Sequence, residues 1–215
     1  MASYLFRDRD GVIHDMGGSY HHGDLRAELV RVSLDLIAEQ GMSGFSVAEV
    51  ARRAKVSPGA PYRHFPDRES LLAEVARNVV SQLADLVRAA AGSRTDPVDA
   101  LAAAAGAYSE YVIERRAGLH IVSDERLKGP KYAELHDQTR RLSDQFLTLC
   151  LIVAGRPQAA VELMAQLLAQ AHGYATFFLD GVFSQEQYGY APDLVVRKSI
   201  DAARIVIEGH LNNQI

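Results

Sequence analysis

Apolar positions recur at helical spacing almost from one end of this chain to the other. In "GDLRAELVRVSLDLIAEQG", Ala27, Val30, Leu34 and Ile37 form one stripe, and Leu29, Val32 and Leu36 form a second beside it. Asp24 stands where an N-cap belongs, and Gly41 where a helix stops. A short second helix follows. Its start, "SVAE", is a capping box: the Ser46 hydroxyl accepts from the Glu49 amide, and the Glu49 carboxylate reaches back to the Ser46 amide. Val47, Val50, Ala51 and Ala54 make its inner face. After "KVS", Ser57 reads as a cap and Pro58 as the first helical residue, where a missing N–H costs nothing. Pro61 still falls near that first turn, so "SPGAPYRHF" is expected to be a short third helix with Phe65 anchoring its end in the core.

The same period continues in longer segments. Asp67 caps a helix that runs to about Gly92, and Asp96 with Pro97 opens the next. A shorter piece around 117–127 is broken by "KGP". Helices are then expected over 131–154, over 157–180 (closed by Gly181), and over 192–211 after a loop. There is no strand-like alternation and no internal repeat. About nine helices, three short ones followed by longer ones, predict an all-α protein.

Composition narrows the class. The chain has 215 residues, 48% hydrophobic and 23% charged, enough for a well-filled core. No apolar run approaches the roughly 18–20 residues of a membrane span, and the first residues lack the apolar stretch of a signal peptide, so a cytoplasmic location without membrane contact is expected. Residues 1–19 read as a flexible extension, and either Met1 or Met16 fits as the native start. The single cysteine, Cys150, excludes an internal disulfide and a thiol-based metal site. No metal or cofactor site is expected. The net charge is −4. It is unevenly spread: residues 46–68 carry five basic and two acidic side chains, whereas 69–215 carry 14 basic and 18 acidic. A basic patch on an acidic body is a localised electrostatic footprint.

That patch coincides with two short helices joined by a three-residue turn, a helix-turn-helix. Ala51 is small enough for the helices to cross closely, and Val56 plugs the angle. The second helix would offer its N-terminal amides to a phosphate, and Tyr62, Arg63 and His64 add further donors.

The run "SVAEVARRAKVSPGAPYRHFPDRESLLAEV" resembles the TetR family of bacterial transcriptional regulators over about residues 24–75. The resemblance implies a three-helix DNA-binding domain (20–66) and a larger helical ligand-binding and dimerisation domain (67–215). It also implies a homodimer on a double-stranded, pseudo-palindromic operator, released by a small-molecule effector. By the same resemblance, Ser46 bonds a phosphate, and Ser57, Pro58, Gly59 and Ala60 present the recognition helix to bases. Tyr62 and His64 hold phosphates, and Arg68 reaches the backbone from the connecting helix. Lys55 departs from the family's usual glycine, at a cost on the order of 1 kcal/mol if its backbone is left-handed, but adds positive charge beside DNA. Pro61 also departs, and is expected to shorten the recognition helix. Arg52 and Arg53 serve either DNA or the helix dipole, and His21 and His22 either a DNA-touching arm or a solvated lead-in.

In the larger domain the family implies dimerisation through the last two long helices. The candidates are Leu163, Leu167, Ala171, Tyr174 and Phe178 on one, and Val196, Ile200, Ala203 and Ile207 on the other, with about half of them filling the subunit's own core. Candidate pocket residues are Tyr108, Tyr111, His120, Phe146, Cys150, His172 and Phe177. Catalytic residues are not expected: no HExxH, GxSxG or phosphate loop occurs. The alternatives are an all-α enzyme with scattered groups and a ligand-independent architectural DNA binder.

Overall fold

The computed structural model describes residues 6–7, 13–14, 22–116, 119–183 and 185–212. The expected flexible extension and the arm residue His21 lie largely outside these. Phe6–Arg7 (β1) and Ile13–His14 (β2) pair as an antiparallel ladder, the only extended pairing among the described residues. Everything else regular is helical.

Helix α1 (His22–Gly44) starts two residues ahead of the expected cap Asp24. Gly41 breaks it, with φ 70°, and one further turn follows. α2 (Val47–Arg53) is capped by Ser46. The third short helix is reduced to a 3-10 turn, Pro61–Arg63, whose N-cap is Ala60 and not Ser57. α3 (Arg68–Gly92) is capped by Asp67, whose carboxylate accepts from the Ser70 amide at 2.7 Å and hydroxyl at 2.6 Å. At 25 residues it is about 37 Å long. It packs on α1 at one end and on the body helices along the rest.

The body comprises α4 (Pro97–Arg115), the single turn α5 (Leu119–Val122), α6 (Ala133–Ala154), α7 (Pro157–Leu179), the single turn α8 (Gln185–Tyr188) and α9 (Pro192–Asn212). Short 3-10 turns at Glu125–Leu127 and Pro130–Tyr132 join α5 to α6, so the expected 117–127 piece is two turns and α6 starts slightly late. Caps explain the boundaries. Asp96 accepts from the Asp99 amide with Pro97 next, and Gly155, with φ 71°, ends α6.

Helix α4 is the axis of the body, buried continuously from Ala100 to Ser109. Its alanines let α3, α7 and α9 close in from different sides. At Gly106 a Cβ would come within 2.3 Å of Ile200 Cγ1, so α9 packs directly on the backbone there. Three serines are buried among the described residues, and two of them tie this axis to its neighbours. Ser109 Oγ lies 2.7 Å from Ser199 Oγ and donates to the Ala171 carbonyl at 3.0 Å, while Ser33 in α1 bonds back to the Leu29 carbonyl. One continuous apolar cluster runs from Leu29 and Val50 through Leu71, Val75 and Leu83 to Leu101 and Leu167. The helix-turn-helix end and the body therefore share a core through α3.

Candidate nucleic-acid interface

The turn after α2 is fixed by its own backbone. Ala54 ends the helix, Lys55 takes a left-handed conformation with φ 57°, and two hydrogen bonds close the end. The Lys55 amide donates to the Arg52 carbonyl at 3.2 Å and the Val56 amide to the Ala51 carbonyl at 3.0 Å. This is a Schellman motif with lysine where glycine is usual. The expectation of a left-handed Lys55 holds. Val56 is half-buried against the core, as a plug must be.

The capping box is only half formed. Ser46 Oγ accepts from the Glu49 amide at 3.1 Å, but the Glu49 carboxylate does not return to Ser46. It takes Arg52 at 2.7 Å through both oxygens and Arg53 at 2.9 Å, and these guanidiniums hold it down at about pKa 2, Arg52 foremost. Arg53 also pairs with Glu39 at 2.7 Å. Both arginines are thus paired with carboxylates of their own chain.

Past the turn, the Ala60 amide donates to the Ser57 carbonyl at 2.9 Å. Pro61 then has no amide to donate, and helical bonding resumes only with Arg63 to Ala60 at 3.2 Å and His64 and Phe65 to Pro61 at 3.0 and 2.9 Å. The missing donor explains why "SPGAPYRHF" forms two tight turns instead of an α-helix. Pro61 and Phe65 point into the core, and Arg26 lies over the Phe65 ring at 5.1 Å. Tyr62, at 54% exposure, and Arg63 face solvent, with His64 half-exposed. Ser46, Lys55, Ser57, Pro58 and Gly59 are exposed as well, and Ala60 is half-buried. The structure brings these predicted contact residues to one end of the molecule. Arg68 is the exception. It donates to the Phe45 carbonyl at 3.2 Å, lies over the Phe45 ring at 4.9 Å, and so braces α3 against the chain before α2.

The predicted pocket residues do not converge. An apolar cavity of about 120 Å³ lies between α3, α4, α6 and α7, lined by Tyr108 and Phe146 together with Leu142, Met164 and Leu168. Of the seven candidates, only Tyr108 and Phe146 line it. Tyr111 and Cys150 are buried elsewhere in the core, where desolvation pushes each to a pKa of about 12. His120 and His172 keep exposed surface. His172 Nδ1 hydrogen-bonds the Tyr108 hydroxyl at 3.0 Å, and partial burial, then the charge of His172, lowers the pKa of His120. Phe177 is half-exposed and packs edge-on against Phe183 in a surface aromatic cluster with Tyr188 and Tyr190. Sequence reasoning missed Leu142, Met164 and Leu168, whose helical phase toward Tyr108 depends on how α6 and α7 cross.

The dimerisation candidates divide. Leu163, Leu167, Ala171, Ala203 and Ile207 are fully buried within their own subunit. Tyr174, Phe178, Val196 and Ile200 are half-buried. The outward faces instead carry Val161, Ala165 and Ala169 on α7, and Ile205, at 70% exposure, on α9. Their offset of two positions from the buried row, about 200° round a helix, was the available signal.

Residues 29–75 match the model of bacterial regulatory proteins of the tetR family. The HTH-type transcriptional regulator BetI of Klebsiella pneumoniae is 42% identical over 62 residues, spanning 29% of this chain and 32% of that protein. An HTH-type transcriptional repressor of Mycobacterium tuberculosis is 27% identical over 152 residues, 70% of this chain and 78% of that protein. The crystal structure of a transcriptional regulator from Rhodococcus superposes with a TM-score of 0.65 at 28% identity, covering 86% of this chain and 96% of that one. With a helix-turn-helix presenting donors at one end and a helical body joined to it through α3, the chain is a DNA-binding transcriptional regulator whose residues 29–75 match the tetR family of bacterial regulatory proteins.

Proposed function

We propose that the protein is a homodimeric repressor that binds a pseudo-palindromic operator and leaves it when a small molecule binds the body. The observation that carries the DNA reading is the donor set on a rigid turn. Lys55, Ser57, Tyr62, Arg63 and His64 sit exposed or half-exposed on backbone fixed by the Schellman motif and by Pro61, while the neighbouring Arg52 and Arg53 are paired with Glu49 and Glu39. Phosphate contacts by these side chains position the turn, and with so short a recognition element base reading rests on few groups around Ser57 to Ala60. Two such turns must meet successive major grooves about 34 Å apart, which one subunit cannot do. The outward faces of α7 and α9, with Val161, Ala165, Ala169 and Ile205, support pairing there. The apolar cavity beside Tyr108 supports a small apolar effector, whose binding would favour a body shape in which the two turns no longer match the grooves. The reading has one decisive measurement: operator affinity across a salt series. Tyr62→Ala combined with His64→Ala is expected to weaken binding about equally on all sequences and to flatten its salt dependence by at most about one phosphate contact, since the Tyr62 phenol carries no charge. Unchanged affinity and slope would remove both residues from the interface.

A further inference from the structure

Two phenylalanines bracket the helix-turn-helix. Phe45 stands immediately before the α2 cap Ser46, and Phe65 closes the recognition turn, its amide donating to the Pro61 carbonyl at 2.9 Å. Both side chains are buried, at 4% and 3% exposure. A guanidinium lies over each ring. Arg68 sits 4.9 Å from the Phe45 ring centre, and its Nη2 donates to the Phe45 carbonyl at 3.2 Å. Arg26 sits 5.1 Å from the Phe65 ring centre, and its two terminal nitrogens meet the two Glu74 oxygens at 2.8 Å each. The arginines come from different helices, Arg68 from α3 and Arg26 from α1. Both attachments nevertheless end on α3, because Glu74 belongs to it. Residues 46–64, with the turn and its exposed donors, are thus fastened at each end to one helix.

A planar cation stacked on a ring and bonded at its edge fixes that ring in place and direction, which a point-like ammonium does not reproduce. Phosphate contacts give affinity without sequence information, whereas base reading needs the turn held at one angle to the groove. We propose that Arg26 and Arg68 are positioning residues for operator recognition. Through Phe65 and Phe45 they hold the helix-turn-helix at the angle at which Ser57 to Ala60 meet base edges, and they serve sequence discrimination instead of phosphate binding. This role rests on the operator reading and requires no effector.

The test uses the full-length chain and two duplexes: one that the protein selects from random sequence, and the same bases scrambled. Arg26→Lys and Arg68→Lys keep the charge and lose the planar attachment. Each is expected to lower the affinity ratio of selected over scrambled duplex about tenfold, a loss the size of one mismatched base pair, with the scrambled duplex bound as by the parent. Arg26→Gln and Arg68→Gln should show the same loss of ratio with an unchanged salt slope. A phosphate ligand behaves in the opposite way: lysine serves as well as arginine, and glutamine weakens both duplexes alike and lowers the slope by about one. Either result in a folded variant overturns the role of that arginine. A general loss of folding lowers binding to both duplexes together, so the ratio separates positioning from stability. Should a lysine variant melt well below the parent, Phe65→Leu or Phe45→Leu decides, because it keeps an apolar side chain and removes the ring: an undiminished ratio then overturns the inference. A parent chain that selects no duplex would sink the operator reading and this inference together, whereas the other failures sink this inference alone.

Discussion

The turn between α2 and the recognition segment and the α4 crossing in the body both bring backbones close, by opposite means. The turn does it locally. Within eleven residues, Ser46 to Val56, a hydroxyl cap, a left-handed Lys55 and two closing hydrogen bonds fix the chain and leave the side chains free. The α4 crossing does it at long range. Alanines and Gly106 let α3, α7 and α9 approach, and the side chains there are spent on filling space. The difference is one of division of labour. Geometry made by backbone bonds leaves exposed donors for a partner, whereas geometry made by packing leaves little apolar room, about 120 Å³ beside Tyr108.

Three variants sharpen or break this contrast. The largest effect is expected in the body. Leu167→Ala removes a fully buried side chain beside α4 and should cost about 2–5 kcal/mol in urea unfolding. A loss below about 1 kcal/mol would mean the body is not held by packing. The turn should respond with a smaller change of opposite sign. Lys55→Gly relieves a left-handed lysine, worth about 1–2 kcal/mol, but loosens the unfolded chain by about 0.5–1, for a net gain of up to about 1.5 kcal/mol. The same variant should lower operator affinity and reduce the salt slope by about one, because one cation leaves the DNA face. Greater stability with unchanged salt slope would separate Lys55 from DNA.

The smallest effect concerns pH. The Glu49 carboxyl is depressed from 4.5 to about 2, first by Arg52 and then by Arg53. A depressed folded-state pKa stabilises the fold above the unfolded value and loses that contribution as the pH falls. Stability should therefore decline between about pH 4.5 and pH 2, and Glu49→Gln should remove part of that decline. An identical acid limb in parent and variant would show that the exposed ion pairs add nothing to stability.

Most of what is local was legible in the sequence. Asp67, Asp96 and Pro97, Gly155 and the left-handed Lys55 each announce a boundary through a side chain's own chemistry, and the helix limits agree within a few residues. Two local expectations, the reciprocal capping box and a helix starting at Ser57, failed for different reasons. Glu49 had a choice of donors, and two guanidiniums outcompete one amide. Pro61 permits helical dihedrals but removes the amide that would continue the ladder. The body candidates fared worse for a different reason. Tyr111, Cys150 and Phe177 are apolar residues on helices, and which one faces a cavity is set by crossing angles that no single helix encodes.

The sequence by itself determined the helical class, the caps, the strained turn and the cluster of donors after it, because these depend on residues within a turn or two of each other. Only the tertiary structure decided that Leu163 and Leu167 are core while Val161 and Ile205 are surface. It also decided that Arg68 braces Phe45, and that Arg26 lies over Phe65. Those outcomes follow from how whole helices pack, where the position of each side chain depends on every neighbour at once.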